Sequence, residues 1–350
     1  MVSSLGGGGA ERSSACLSEI LYDLGYEVHI VSVLNVVDYP YKGKLLNLGE
    51  LKEKNDTLIG RLKRLLVFNT YLRENSFDYI IDNRTRIGLK EIFITKIIYN
   101  SIKVIYGVHS YRVESYIQPN KFLAKWLYKS AYQLVCVSEA ISSKLKASYG
   151  FNNLKVIHNA ICLSHQKDSN EKRPYEKYIL FYGRIDDEVK NITLLLQSFS
   201  QSKLPSLDVK LKILGDGKDK KKLKNTVAKM PNGDCIEFLD FVSNPYEIVK
   251  HAYLTVLTSR YEGFPMVLVE SLSLGTPVVS VNCESGPNEI IVNEHNGLLV
   301  DNFDEDAFKE ALNRMVEDEN LYLNCKSNAT SSVKKFTTKR IGEQWKLVLK

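Results

Sequence analysis

The chain has 350 residues, 44% apolar and 25% charged, with a net charge of +6. That length predicts two domains, and aromatic and β-branched residues spread throughout exclude a disordered or fibrous chain. No apolar run approaches the ~18 residues needed to cross a bilayer, and no secretory leader is read at the start. Residues 1–160 carry 21 Lys+Arg against 14 Asp+Glu, the remainder 26 against 27. A basic first half suits an anionic partner, although a solvated surface explains the charge equally well. Basic and aromatic residues do not interleave as in RNA-binding chains, which makes nucleic acid the weaker option. Cysteines 16, 136, 162, 235, 283 and 325 are scattered without a C-x-x-C pair. The expectation is neither a disulfide framework nor a zinc site, in a reducing cytoplasm.

In chain order, a short MVSSL precedes the glycine loop GGGGAER (6–12), where such a domain opens with a strand of five or six residues. Near-continuous β-branched runs then predict strands at 27–34, 78–82, 103–109, 133–138 and 155–159. Helical stretches are read at 12–24, 59–74 and 139–148. The polar segment 164–177 reads as a linker. The pattern restarts with strands at 178–183, 210–215, 235–242, 254–259, 277–282 and 297–300, and helices at 192–200 and 265–274. This alternation predicts an α/β fold of two doubly wound Rossmann-like domains facing across a cleft. The predicted boundaries are 1–162, a linker at 163–177, 178–330, and a C-terminal helix at 331–350 packing back toward the first domain.

The chemistry is expected at strand ends. Gly7, Gly8 and Gly9 let backbone N–H groups approach an anion at a helix start, or form a flexible turn. The loop matches neither the dinucleotide fingerprint nor a P-loop. Gly183 and Arg184 follow a strand directly, with Lys190 six residues on. These two cations fit a diphosphate, or pair with Asp186, Asp187 and Glu188. Gly215 and Val242 lie at the next strand ends. In SRYEGFPMVLVE (259–270), Glu262, Gly263, Phe264, Pro265 and Met266 form a loop at a helix start, and Glu270 lies inside the helix. Carboxylates there suit vicinal hydroxyls. His109 ends a first-domain strand, where it is either structural or a partner for a substrate hydroxyl or phosphate. No metal-ligand spacing is present.

The ordered series GRIDDEVKN, ILGDG, FLDFVSN, SRYEGFPMVLVE and SGPNEII…NGLLV resembles glycosyltransferase family 4, with its E-x7-E motif and GT-B fold. GGGGAER, VSEAISSKL and VIHNAI fit the same family. The resemblance implies a nucleotide-sugar donor, UDP more often than GDP, and transfer with retention, needing neither cofactor nor metal. It places the diphosphate on Arg184 and Lys190, the ribose on Glu270 and the base near Val242. The donor sugar falls to Glu262, the N–H groups around Phe264–Met266, and His109. Gly7–Gly9 would approach the phosphates from the first domain. Asp240 stands where the family has glycine. The acceptor implied is a glycan or polyprenyl-diphosphate-linked glycan of a bacterial surface polysaccharide. The basic, leucine-containing stretch Lys42–Arg64 reads either as a peripheral contact with an anionic membrane or, equally well, as a solvated helix. A nucleotide-sugar epimerase of the same architecture and a non-catalytic sugar-nucleotide-binding protein are the alternatives.

Overall fold

The computed structural model describes residues 1–99, 102–162 and 176–350, so most of the expected linker lies outside the described residues. The chain divides into two compact units, one formed by Met1–Cys162 with Thr338–Lys350, the other by Leu163–Thr337.

The first unit holds six parallel strands: β1 (His29–Ser32), β2 (Lys44–Asn47), β3 (Tyr79–Asp82), β4 (Lys103–Val108), β5 (Gln133–Cys136) and β6 (Leu154–Val156). β1 pairs with β2, and β3 to β6 pair in sequence order. Met1–Leu5 lies between these two groups. Val2 N donates to Val31 O at 3.0 Å on one side, and the terminal amine donates to Ile81 O at 2.8 Å on the other. The five residues before the glycine loop therefore occupy a strand position at the point where the strand order reverses. β2 was not expected from the sequence. It is a half-exposed edge strand of Lys, Leu, Leu and Asn, without the continuous apolar run that marks its neighbours.

Alternating residues of the central strands face opposite helical layers. Ile105 and Val135 share a core with Cys16, Ile20 and Leu21 of the Gly9–Asp23 helix and with Ile341, Trp345 and Val348 of the Thr338–Val348 helix. Tyr106, on the other face, meets Tyr128 of the Lys121–Tyr128 helix edge to face at 4.9 Å. The expectation for the cysteines is corrected here. Cys16 and Cys162, 146 residues apart, are joined in a disulfide. Only folding brings them together, so no sequence spacing announced the bond.

The second unit is a six-stranded parallel sheet in the order β12-β11-β10-β7-β8-β9. Its strands are β7 (Tyr178–Tyr182), β8 (Lys210–Leu214), β9 (Ile236–Leu239), β10 (Leu254–Leu257), β11 (Val278–Asn282) and β12 (Gly297–Asp301). β7 is buried along its whole length, as a central strand covered on both faces must be. On one face Leu195 and Phe199 of the Ile192–Gln201 helix pack with Phe308, Leu312 and Met315 of the Glu305–Glu317 helix. The order reverses between β7 and β10, which makes the carboxyl ends of these two strands the expected ligand position.

Candidate active site

The segment after β7 is fixed by backbone contacts that exclude side chains. Gly183 N donates to Leu214 O at 3.0 Å and Ile185 N to Asp216 O at 2.8 Å. Gly215 has φ +146, and a Cβ there would run into Gly183 O. Arg184 projects from this stacked pair of turns, exposed and without a side-chain partner among the described residues. Asp187–Lys190 forms one helical turn, and Asn191, at φ 48, redirects the chain into the Ile192–Gln201 helix. The acidic residues of this turn are engaged elsewhere. The Asp187 carboxylate accepts from Thr193 N at 2.7 Å and Thr193 Oγ1 at 2.6 Å. Lys218 lies 3.1 Å from Asp186 and 3.2 Å from Glu188. Neither Arg184 nor Lys190 is consumed by them.

The segment after β10 grips the same turn. Thr258 Oγ1 donates to Lys190 O at 3.0 Å, and Arg260 N to Val189 O at 2.8 Å. The Arg260 guanidinium donates to Asn191 Oδ1 at 2.8 Å. These contacts aim Lys190 at Glu262, whose Oε1 accepts from Lys190 Nζ at 2.5 Å and from Ser259 Oγ at 2.6 Å. Sequence reasoning missed Thr258, Ser259 and Arg260; the signal was a polar triplet ending an apolar strand.

The loop that carries Glu262 is tied to the turn after β11. Glu262 N donates to Glu284 O at 3.0 Å, and Ser285 Oγ to Gly263 O at 2.6 Å. Gly286 has φ +104 and packs on Pro265, where a Cβ would collide with Pro265 Cδ. Phe264 is buried against the ring of Phe336, centroids 5.0 Å apart. Pro265 immediately precedes the Met266–Ser273 helix, so the first-turn N–H groups of that helix open onto this loop. Glu270 is buried within the helix, with the Tyr182 hydroxyl 3.4 Å from its carboxylate. The two glutamates thus differ in setting, one in a loop and partly accessible, the other in the interior.

At the end of β9, Asp240 pairs with Lys220 at 2.8 Å. Lys220 also donates to Gly215 O at 2.9 Å and Leu239 O at 3.3 Å, bracing two strand ends. Val242 lies beyond this brace, partly exposed. Lys220 was not singled out from the sequence, being one of a run of lysines.

In the first unit, Gly7 has φ +81, Gly8 caps the Gly9–Asp23 helix through its backbone, and Gly9 begins it. His109 lines a cavity with Ser13, Asn83, His158 and Asn159. Its Nδ1 is buried and makes no hydrogen bond among the described residues. Burial, then the nearby Arg86 guanidinium, pushes its pKa down to about 4, so the ring is neutral near pH 7. Arg86 is itself wholly buried and donates to Asp82 O at 2.7 Å, Arg84 O at 2.9 Å and Gly107 O at 3.0 Å. It locks the ends of β3 and β4 together beside His109. No group of three potential metal ligands occurs among the described residues.

Comparison with known proteins identifies the family. Residues 164–332 match the family described as glycosyl transferases group 1, and residues 7–165 match glycosyltransferase family 4. An N-acetylgalactosaminyltransferase of Campylobacter jejuni, named for a diphospho-undecaprenol-linked acceptor, is 28% identical over 97% of this chain and 95% of its own length. An amylovoran biosynthesis glycosyltransferase of Erwinia amylovora is 24% identical over 98% of this chain and 96% of its own. Among solved structures, Anabaena HepE in complex with UDP-glucose superposes with a TM-score of 0.79 at 19% identity, covering 99% of this chain and 98% of that one. The lipopolysaccharide outer core galactosyltransferase WaaB superposes with a TM-score of 0.69 at 18% identity, covering 100% and 99%. With both halves matched in order and the fold shared, the chain belongs to the family 4, group 1 glycosyltransferases of GT-B fold.

Proposed function

We propose that this glycosyltransferase moves a sugar from a UDP-sugar, with retention of configuration and without a metal ion, to a glycan or polyprenyl-diphosphate-linked acceptor in bacterial surface polysaccharide synthesis. The carrying observation is the Lys190–Glu262 pair at the carboxyl ends of β7 and β10, where the strand order reverses, with Arg184 exposed directly after β7. Glycosyl transfer builds negative charge on the departing diphosphate. Arg184, Lys190 and the N–H groups opening the Met266–Ser273 helix supply the compensating positive charge. Glu262 takes the donor sugar's hydroxyls and Glu270 the ribose, with the base near Val242. Gly7–Gly9 approach the phosphates, and neutral His109 hydrogen-bonds a hydroxyl of the donor sugar.

A double displacement through an enzyme carboxylate needs a free nucleophile. Glu262 Oε1 is shared by Lys190 and Ser259, and Glu270 is buried. The reading is therefore front-face attack, in which the acceptor hydroxyl's proton passes to the leaving phosphate oxygen as the new glycosidic bond forms. The protein works against the membrane that carries its acceptor. The relatives' names support the lipid-linked acceptor and the UDP complexes of structural neighbours support the nucleotide. The test is a thermal-shift screen of UDP- and GDP-sugars, followed by NMR of the product's anomeric centre with and without EDTA. A raised melting temperature with one UDP-sugar, a retained anomer and EDTA-insensitive turnover are expected. A response to GDP-sugars alone, or an inverted product, overturns the corresponding part.

A further inference from the structure

The ring of Tyr182, the last residue of β7, packs with Leu180, Leu214, Val249 and Ala252, which leaves its hydroxyl little freedom to move. That hydroxyl reaches the Met266–Ser273 helix and donates to Val267 O at 2.8 Å. It also lies 3.4 Å from Glu270 Oε2 and 3.5 Å from Ser271 Oγ. Val267, Glu270 and Ser271 stand at i, i+3 and i+4, so they share the helix face that meets the sheet.

The polar contacts continue across this interface. Ser271 Oγ donates to Thr255 Oγ1 of β10 at 2.8 Å, and both residues are fully buried. Three buried hydroxyls, those of Tyr182, Ser271 and Thr255, thus seat one helix on two strands. Aliphatic side chains would pack there at less cost, because buried hydroxyls need partners. A satisfied chain of them fixes geometry, which packing alone does not.

A phenol has one proton to give. Two acceptors compete for it, the Val267 carbonyl at an ordinary hydrogen-bond distance and the Glu270 carboxylate at the long end of the range. Glu270 is 4% exposed, and a carboxylate at that depth takes the orientation its donors allow. Each of its oxygens has two lone-pair directions, so Oε2 can face Tyr182 and still accept from a ligand. With Oε2 held on the Tyr182 side, the plane of the carboxylate is set. A set plane is what a two-point grip on vicinal hydroxyls demands.

We propose that Tyr182 is a positioning residue for nucleotide recognition: its hydroxyl orients the Glu270 carboxylate so that the site requires both ribose hydroxyls and rejects 2′-deoxyribonucleotides. The inference rests on the proposed assignment of Glu270 to the ribose. It goes further in naming what orients that carboxylate and which ligands are refused as a result.

The test is isothermal titration of UDP and 2′-deoxy-UDP against the parent, Y182F, E270Q and Y182F/E270Q. Phenylalanine keeps the ring in its core and removes only the hydroxyl, so Y182F should melt within a few degrees of the parent. The parent should bind UDP about tenfold or more tightly than 2′-deoxy-UDP, the worth of one hydrogen bond to a charged acceptor. Y182F should narrow that ratio at least about threefold, chiefly by weakening UDP. The double variant should show no narrower ratio than E270Q, because Tyr182 acts through Glu270. A merely structural role weakens both ligands alike. An unchanged ratio in Y182F beside a narrowed one in E270Q overturns the inference and spares the proposed function. Effects on the ratio that add in the double variant overturn it as well. A ratio that E270Q leaves unchanged instead removes Glu270 from the ribose, and both fall together. If only guanine nucleotides bind, the same ratios are read with GDP and 2′-deoxy-GDP.

Discussion

Lys190 Nζ lies 2.5 Å from Glu262 Oε1, so the cation assigned to the donor's phosphate and the carboxylate assigned to its sugar are each other's partners. A diphosphate entering this site competes with Glu262 for Lys190. In E262Q that competition weakens. UDP alone should therefore bind E262Q a few-fold more tightly, on the order of 1 kcal/mol for a partly exposed pair. Sugar transfer should fall about 100-fold, ~3 kcal/mol of transition-state stabilisation. Isothermal titration with UDP and steady-state turnover separate the two effects. K190A should lose both, and weaker UDP binding by E262Q would refute the competition.

Gly286 should prove as critical as any charged residue of the site. At φ +104 an alanine is strained, and its Cβ meets Pro265 in the loop that carries Glu262. G286A should cost on the order of 2–3 kcal/mol in unfolding free energy. Its turnover should drop even at temperatures where the variant is fully folded. Denaturant melts beside turnover at 15 °C will show whether the site, and not only the fold, is displaced.

His109 gives the stability a particular acid dependence. Its folded pKa, about 4, lies below the ordinary 6.5, so protons bind the unfolded chain more readily than the native one between these values. The neutral ring's contribution is fully present above pH 6.5 and is lost as pH falls toward 4. Its size is at most about 3 kcal/mol. H109Q removes the titration, so the difference in stability between parent and H109Q should shift with pH only inside this window. A difference that stays constant from pH 7 to pH 4.5 would refute the neutral, buried ring.

The Cys16–Cys162 bond closes a loop of 146 residues. On the loop-closure model it contributes about 5 kcal/mol, and 2–5 kcal/mol is the usual range for a native bond. Dithiothreitol should lower the first unit's melting transition and leave the second unit's in place. C16S/C162S should melt low with or without reductant. A parent indifferent to reductant would mean that the bond does not form in solution.

Much of the fold was legible because buried parallel strands write themselves as unbroken apolar runs. β7 and β10 are of this kind, and the motifs at their ends locate Arg184, Lys190 and Glu262. Other features were illegible for definite reasons. β2 is an edge strand whose half-exposed residues lack such a run. The Cys16–Cys162 pairing and the Lys190–Glu262 pair are tertiary, with no local signal at either end. The engagement of Asp186 and Glu188 by Lys218 depends on two strand ends being neighbours, which spacing along the chain does not reveal. The outward leucines of residues 58–66 resemble inward ones until the packing of Phe68 and Leu72 shows which face is covered.

The Thr338–Val348 helix fixes an order of assembly. Ile341, Trp345 and Val348 complete the core beneath the Gly9–Asp23 helix, yet they are translated after the whole of the second unit. On the ribosome the second unit is contiguous and can close as soon as it emerges, whereas the first, though made earlier, keeps Ile20 and Leu21 exposed until the helix at 338–348 arrives. The usual N-terminal-first sequence of domain folding is inverted for that face. A nascent chain halted before residue 338 would hold a finished second unit and an incomplete first one, the kind of intermediate on which chaperones act.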